Sequence, residues 1–517
     1  MKTLVVLLAS GISAYAFKPL KDDNQPAFLS AYSRALQLPD AERCIVAAPA
    51  AECTLLKQEC AGKIPEGSMI ALPEATAAAL FTALLPAAAE TDHLFLVWAD
   101  APFLDVQAAA QLYEQHCTYR AEYSFADGYP EGLIPQLLDR HMVALLARLP
   151  HAQKAPLTRT FLFDLIKQDI NAYDLETMIA PQDVRQFRLH FYTDTKAAWL
   201  LCRSFTDITA ENYARLIQAR QECLRPLPAY YGIETVACHP LASLYRPQAV
   251  SSRFDPELCM DLSRIRHIAD SIAAFSETAV ISLSLYGEPL LHPRIVNTIA
   301  HILSYPSLSV LIETSGTAGS PELYSAIREK ADAAPARSSV YLPIYWIVGI
   351  DAVSAPVYGL VHQLSEAQAD ASLKQAAAAA SELAGLFPGS VWAQMIRMNE
   401  NEAELESFYR LWEKQAARPL IQKYDHLCGQ LPDRRTADLS PLERHACWHL
   451  KRDMSICNDG SVPLCKEDID KSILLGNVFV DSLDSIWQNG SKYYQEQAKS
   501  VYKGLCGTCD EYYTYNF

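Results

Sequence analysis

Residues 447–468 read CWHLKRDMSICNDGSVPLCKED, and residues 505–509 read LCGTC. A Cys-x-x-Cys pair on a turn can set two thiolates against one metal centre, and two more cysteines brought in by folding complete four ligands. Zinc accepts the same ligand count, and a set of unligated buried thiols is the plainer alternative. The stretch NDGSVPLC (458–465) reads as a tight Asp-Gly hairpin that delivers Cys465 at the end of its second strand. Spacing favours a metal or cluster centre and does not choose the metal.

Around this segment lies a chain of 517 residues, too long for one hydrophobic core, so about three domains are expected. A net charge of −16 makes it a poor candidate for gripping nucleic-acid phosphates or anionic lipid. No apolar run approaches the ~20 residues that span a bilayer. The opening MKTLVVLLASGISAYAFKPL (1–20) has the look of a secretory signal. The rival reading is a buried first strand from Thr3 to Ala9, and the α/β pattern that follows favours it. Cytoplasm is the expected compartment. The partner is expected to be a small molecule, a peptide or a protein.

From Leu4 onward, β-rich runs (RCIVAAPA, HLFLVWA) alternate with Ala/Leu-rich helical stretches, which argues for a parallel sheet covered on both faces. RPLPAYYG (225–232) reads as a linker. A second α/β series follows, and its SLKQAAAAASELAGLF (372–387) reads as a covering helix. The expected domains are 1–224, 230–423 and 424–517, the last of them Cys-rich.

The order Cys447, Gly460, Cys465, LLGNVFVDSLDSIW (474–487) and CGTC resembles the SPASM or twitch extension behind radical SAM domains. That resemblance implies an auxiliary 4Fe-4S cluster on Cys447, Cys465, Cys506 and Cys509. It leaves Cys457 as a packed thiol. The full seven-cysteine pattern continues with two further cysteines; none stands in 510–517, so one cluster is expected.

SLSLYGEPLLHPRIV (282–296) resembles the radical SAM strand ending in Gly-Gly-Glu-Pro, with Tyr286 at the first glycine, then Gly287, Glu288 and Pro289. VLIETSGT (310–317) resembles the strand ending in Thr-Asn-Gly, with Ser315 for Asn. YWIVGIDAVSAPVYGLVH and MIRMNENEAELESFYRLW follow in the family's order, and a partial (β/α) barrel is implied. Gly287, Glu288, Pro289 and Ser315 are thus the positions that resemble the S-adenosylmethionine site. The family's catalytic cluster needs Cys-x3-Cys-x2-Cys after the first strand. In IETVACHPLASLYRPQ (233–248) only Cys238 is present, with Ala242 and Tyr245 at the other two positions. Alanine has no lone pair to offer, and neutral tyrosine is a poor soft-metal ligand. Cys223 and Cys259 lie outside the loop. Cleavage of S-adenosylmethionine is expected to be lost.

The N-terminal third resembles sugar-activating cytidylyltransferases: LLASGISAYAFKPL ends in their Lys-Pro-Leu (Lys18 onward), LVWADAPFLD places Asp100, and RLHFYTDTKAAWLL places Asp194. Two strand-end carboxylates would share Mg²⁺ on a nucleoside triphosphate. The loop offers one lysine on an acidic chain, so weak or absent turnover is expected. This order of parts resembles the spiro-SPASM proteins. An iron-sulfur protein on a retired radical SAM scaffold is the leading expectation. An active radical SAM enzyme with atypical cluster ligation, and a nucleotidyltransferase, are the alternatives.

Overall fold

Thr3–Leu8 (β1) is apolar throughout after Thr3 because both its faces are covered. Leu4, Val6 and Leu8 enter one core, while Val5, Leu7 and Ala9 enter the other. Alternate side chains of a strand point to opposite faces, so one buried strand feeds two layers. The structure, a computed structural model, describes residues 1–21, 25–60, 62–65, 67–251, 253–255, 257–339 and 341–514. Contacts divide the chain into two compact units, Met1–Pro226 and Leu227–Phe517.

The first unit is an α/β/α sandwich. Its strands are β1, Ala41–Pro49 (β2), Met69–Leu72 (β3), His93–Trp98 (β4), Tyr123–Asp127 (β5), Gln136–Asp139 (β6) and Leu175–Ile179 (β7). They lie in the order β3-β2-β1-β4-β6-β5-β7 with β6 antiparallel to its neighbours. The signal-like opening therefore supplies the strand between β2 and β4. The pattern that resembles an export signal is that of any strand buried on both faces.

The second unit contains Tyr230–Ile233 (β8), Ala279–Ser282 (β9), Leu308–Thr314 (β10), Ile344–Gly349 (β11), Val391–Arg397 (β12) and Arg418–Lys423 (β13). These run parallel and side by side in chain order, the arrangement of a partial (β/α) barrel. The alanine-rich stretch forms the helix Glu366–Leu386 over β11 and β12, with Ala376, Ala380 and Leu383 inward.

The Cys-rich segment is built into this unit. Asp453–Ile456 (β14) pairs in parallel with β8 and extends the barrel sheet. Ser461–Pro463 (β15) pairs instead with Leu474–Asn477 (β16). The expected Asp-Gly turn is present, closed by Cys457 N–H to the Ser461 carbonyl at 2.9 Å. The correction concerns its two arms, which enter different sheets. Gly460 makes this bend at φ +83°; a Cβ there would meet the Phe479 ring at 2.3 Å.

Candidate metal centre

Four local structures bring five thiols to one pocket. Cys447 precedes the short helix Trp448–Arg452, and its N–H is held by Gln497 Oε1 at 2.9 Å. Cys465 follows β15. Cys506 lies in the helical turn Leu505–Thr508, and Cys509 ends it. The fifth, Cys428, sits in the turn Leu427–Gly429, and all five line a pocket of about 390 Å³ that includes its opening to solvent. Cys457 is fully buried elsewhere. Cys428 was not among the sequence candidates, because it stands outside the Cys447–Cys509 pattern and only folding brings it in.

Burial pushes the Cys447 and Cys465 thiols well above their ordinary range, with Cys509 adding to both and Glu467 adding to Cys465. Burial also raises Cys506. Cys509 goes the other way: the Cys428 thiol hydrogen-bonds it and lowers it, and the Glu511 N–H donates to the same sulfur at 3.3 Å. Thiolates become favourable together only when a cation sits among them. A single zinc ion, with Zn–S near 2.3 Å, would draw sulfurs to about 3.8 Å from one another. Among the described residues, the one trio of His, Cys, Asp or Glu ligand atoms within 4.8 Å of one another is Asp425, Asp510 and Glu511. Among the described residues no three cysteine sulfurs come that close together.

That acidic trio is already neutralised. Lys423 pairs with Asp510 at 3.0 Å and with Glu511, and Lys466 pairs with Asp425 at 2.7 Å and Glu467 at 2.9 Å. Lys466, His449 and Cys465 also line a second cavity, about 1250 Å³ with its opening, which occupies the barrel and includes Arg246 and Glu313. The thiol pocket and the barrel cavity thus share a wall.

At the barrel mouth, Glu288 is fully buried and accepts from Thr314 Oγ1 (3.0 Å), Ser315 N (2.8 Å) and Ser315 Oγ (2.9 Å). The expected positions Gly287, Glu288, Pro289 and Ser315 are therefore brought together. Gly287 has no room for a side chain, since a Cβ would lie 2.0 Å from the Val236 carbonyl. Cys238 is adjacent, its carbonyl accepting the Glu288 N–H at 2.9 Å. Tyr286, which replaces the family's glycine, donates its hydroxyl to the Lys466 carbonyl at 2.7 Å and so ties this mouth to the Cys-rich segment. Ala242 is exposed, whereas Tyr245 hydrogen-bonds Asp351 at 2.8 Å and packs with Leu244, Val361 and Met398. Asp351 also accepts from the Ile396 N–H at 2.7 Å.

In the first unit Asp100 and Asp194 converge, but on an arginine. Arg159 donates to both Asp100 oxygens at 2.8 and 2.6 Å and to Asp194 at 3.4 Å. Its guanidinium lies 4.3 Å from the Trp98 ring centroid and 4.0 Å from that of Tyr192. Lys18 rests over the Tyr15 ring at 3.8 Å. Sequence reading missed Arg159 because LTRTF (157–161) carries no motif.

Residues 447–510 match the family model of SPASM, an iron-sulfur cluster-binding domain. An uncharacterised protein of Treponema pallidum (strain Nichols) is 51% identical over 358 residues, covering 69% of this chain and 99% of its own. Among solved structures, BtrN in complex with AdoMet and 2-DOIA is similar over 55% of this chain and 93% of its own (16% identity, TM-score 0.37). A cytidylyltransferase from Leptospira borgpetersenii serovar Hardjo-bovis (strain JB197) is similar over 43% of this chain and 96% of its own (13% identity, TM-score 0.35). The chain belongs to one family with this treponemal protein, and its residues 447–510 form a SPASM iron-sulfur cluster-binding domain.

Proposed function

We propose that this chain is an iron-sulfur protein that holds one auxiliary 4Fe-4S cluster on Cys447, Cys465, Cys506 and Cys509, on a radical SAM-like scaffold that no longer cleaves S-adenosylmethionine. The observation that carries the reading is the contrast in donors: the C-terminal pocket gathers thiols, while the barrel's cluster loop keeps Cys238 alone. Tyr245, at the third thiolate position, is committed to Asp351. A bound cluster would supply one-electron transfer at the wall of the barrel cavity. The chain's own part is to hold four sulfurs, to shield Cys447 by burial, and to direct the Cys506 loop through Arg444, which donates to the Cys506 carbonyl at 2.6 Å.

A small molecule in the barrel cavity is the partner this arrangement suits, since that cavity shares Cys465, His449 and Lys466 with the thiol pocket. Arg159 lies where Mg²⁺ would bridge Asp100 and Asp194, which argues against triphosphate transfer by the first unit. No helix among the described residues is long and apolar enough to cross a membrane. The fourteen cysteines are all unpaired thiols, which supports a reducing compartment and hence the cytoplasm.

The test is anaerobic reconstitution, with iron and sulfide analysis, an EPR spectrum, and an assay for 5′-deoxyadenosine under dithionite. About four irons per chain and no 5′-deoxyadenosine are expected. About eight irons, or reductive cleavage of S-adenosylmethionine, overturns the reading.

A further inference from the structure

A cubane cluster takes four thiolates, and this pocket presents five. The surplus sulfur is not distributed evenly. Cys428 is in hydrogen-bonding contact with Cys509, whereas the Cys506 thiol is bonded to Gln497. The backbones carrying Cys428 and Cys509 are joined as well: Thr508 Oγ1 donates to the Cys428 carbonyl at 3.2 Å, and the turn Leu427–Gly429 packs against Leu505–Thr508.

The Cys428 turn is held in an unusual shape. Leu427, Cys428 and Gly429 all have positive φ (50°, 55° and 85°), a conformation that costs roughly 1–3 kcal/mol at each non-glycine position. It persists because its surroundings enforce it. Leu427 is buried with Leu431 and Ile469, its N–H is held by Asp425 at 2.8 Å, and the Gly429 N–H by His426 Nδ1 at 2.7 Å. The result is a thiol delivered into the pocket. Cys428, Cys465, Cys506 and Cys509 are all partly exposed and Cys447 is buried, so a small oxidant can reach both Cys428 and Cys509.

We propose that, in the iron-free chain, Cys428 and Cys509 close into a reversible disulfide that blocks cluster loading until a thiol reductant reopens it. This rests on the ligand role given above to Cys509. The oxidant is a low-molecular-weight disulfide such as oxidised glutathione. The Cys509 thiolate attacks one of its sulfurs, forming a mixed disulfide and expelling a small thiolate. Cys428 then loses its proton to solvent, attacks the Cys509 sulfur and expels the second small thiol. The protein loses two hydrogens in all, and the small disulfide gains them. Excess small thiol reverses both steps. Iron that is already ligated by Cys509 occupies the sulfur that would attack, so the loaded chain resists.

The full iron-free chain is treated with oxidised glutathione and mapped by mass spectrometry under non-reducing conditions. A peptide linked through Cys428 and Cys509 is expected. The same sample should load roughly tenfold less iron than the reduced chain, since every bridged molecule lacks a ligand, and recover after dithiothreitol. Cys428→Ser should instead trap glutathione on Cys509. A bridge between Cys506 and Cys509, no bridge at all, or full loading of the bridged chain overturns the proposal. A reduced chain that takes up no iron would sink the cluster reading, while the peptide map still decides the disulfide.

Discussion

Two regions of this molecule gather donors of the kind that bind metals, and they end differently. At the C-terminal pocket, five sulfurs meet, held by hydrogen bonds from backbone N–H groups, from Gln497 and from one another. In the first unit Asp100, just past β4, meets Asp194 across Arg159, a permanent cation clamped between two aromatic rings; Asp194 lies in the loop before the helix Lys196–Ser204 and not, as expected, at a strand end. Donor identity alone separates neither case from a working site. The difference lies in what faces the donors: a cation among the thiols is what is proposed above, whereas the carboxylates carry their own cation in Arg159. The Asp425–Asp510–Glu511 trio belongs with the second kind, its charge answered by Lys423 and Lys466.

The largest effect should come at the thiols. Replacing Cys506 and Cys509 together by Ala removes half of the proposed ligands, and reconstituted protein should lose all of its iron and its EPR signal. Retained iron would mean that the sulfurs of the tail are not the site, and the contrast between the regions would collapse.

Next comes Arg159→Leu. Asp100 is 3% exposed, and both Arg159 and Asp194 are 23% exposed, so the substitution strands a buried carboxylate beside a half-buried one. Stability should fall by about 3–5 kcal/mol, measured by urea unfolding at neutral pH. Millimolar Mg²⁺ should raise the melting temperature of the variant and leave the wild type unmoved. A wild type stabilised equally by Mg²⁺ would show that the arginine does not stand in for the ion.

The barrel mouth offers a milder test, because there a buried aspartate is answered only in part, by hydrogen bonds and the nearby charge of Arg246. Burial pushes the Asp351 carboxyl up to about 6, against the hydrogen bonds from Ile396 and Tyr245. The unfolded value is near 3.9, so between about pH 4 and 6 the folded chain keeps a proton that the unfolded chain has lost. Stability falls as pH rises through that window and is flat above it. Asp351→Asn should remove this slope and add on the order of 2 kcal/mol at pH 7, seen in urea midpoints across pH. Residue 351 sits at φ 59°, a conformation that Asn tolerates well.

Much of this arrangement was legible in the sequence where the physics is local. Strand and helix periodicity gave the two α/β series, and the Cys-Gly-Cys-CxxC order marked the tail. What stayed hidden depends on tertiary approach. Cys428 has no neighbour in sequence to announce it, and Arg159 lies in an unremarkable loop. Tyr286 reads as a departure from a glycine pattern until its hydroxyl is found on the Lys466 carbonyl. The two arms of the 457–460 turn look like one hairpin because turn chemistry is local, whereas the choice of sheet is not.

The smallest effect should come from Cys457, which lies between two proposed ligands in sequence yet not in the pocket. It is fully buried, and burial pushes its thiol up to about 11, so it is neutral at physiological pH. Its structural work is done by the backbone: its N–H reaches the Ser461 carbonyl at 2.9 Å, and its carbonyl accepts the Gly460 N–H at 2.8 Å. Cys457→Ala leaves both bonds and removes a single buried sulfur. That should cost about 1 kcal/mol in a urea titration. The iron count should be unchanged beside a Cys465→Ala control that loses it. A Cys457→Ala chain that loads no iron would move the ligand set to the turn itself, and would mean that spacing and pocket geometry both misassigned the tail.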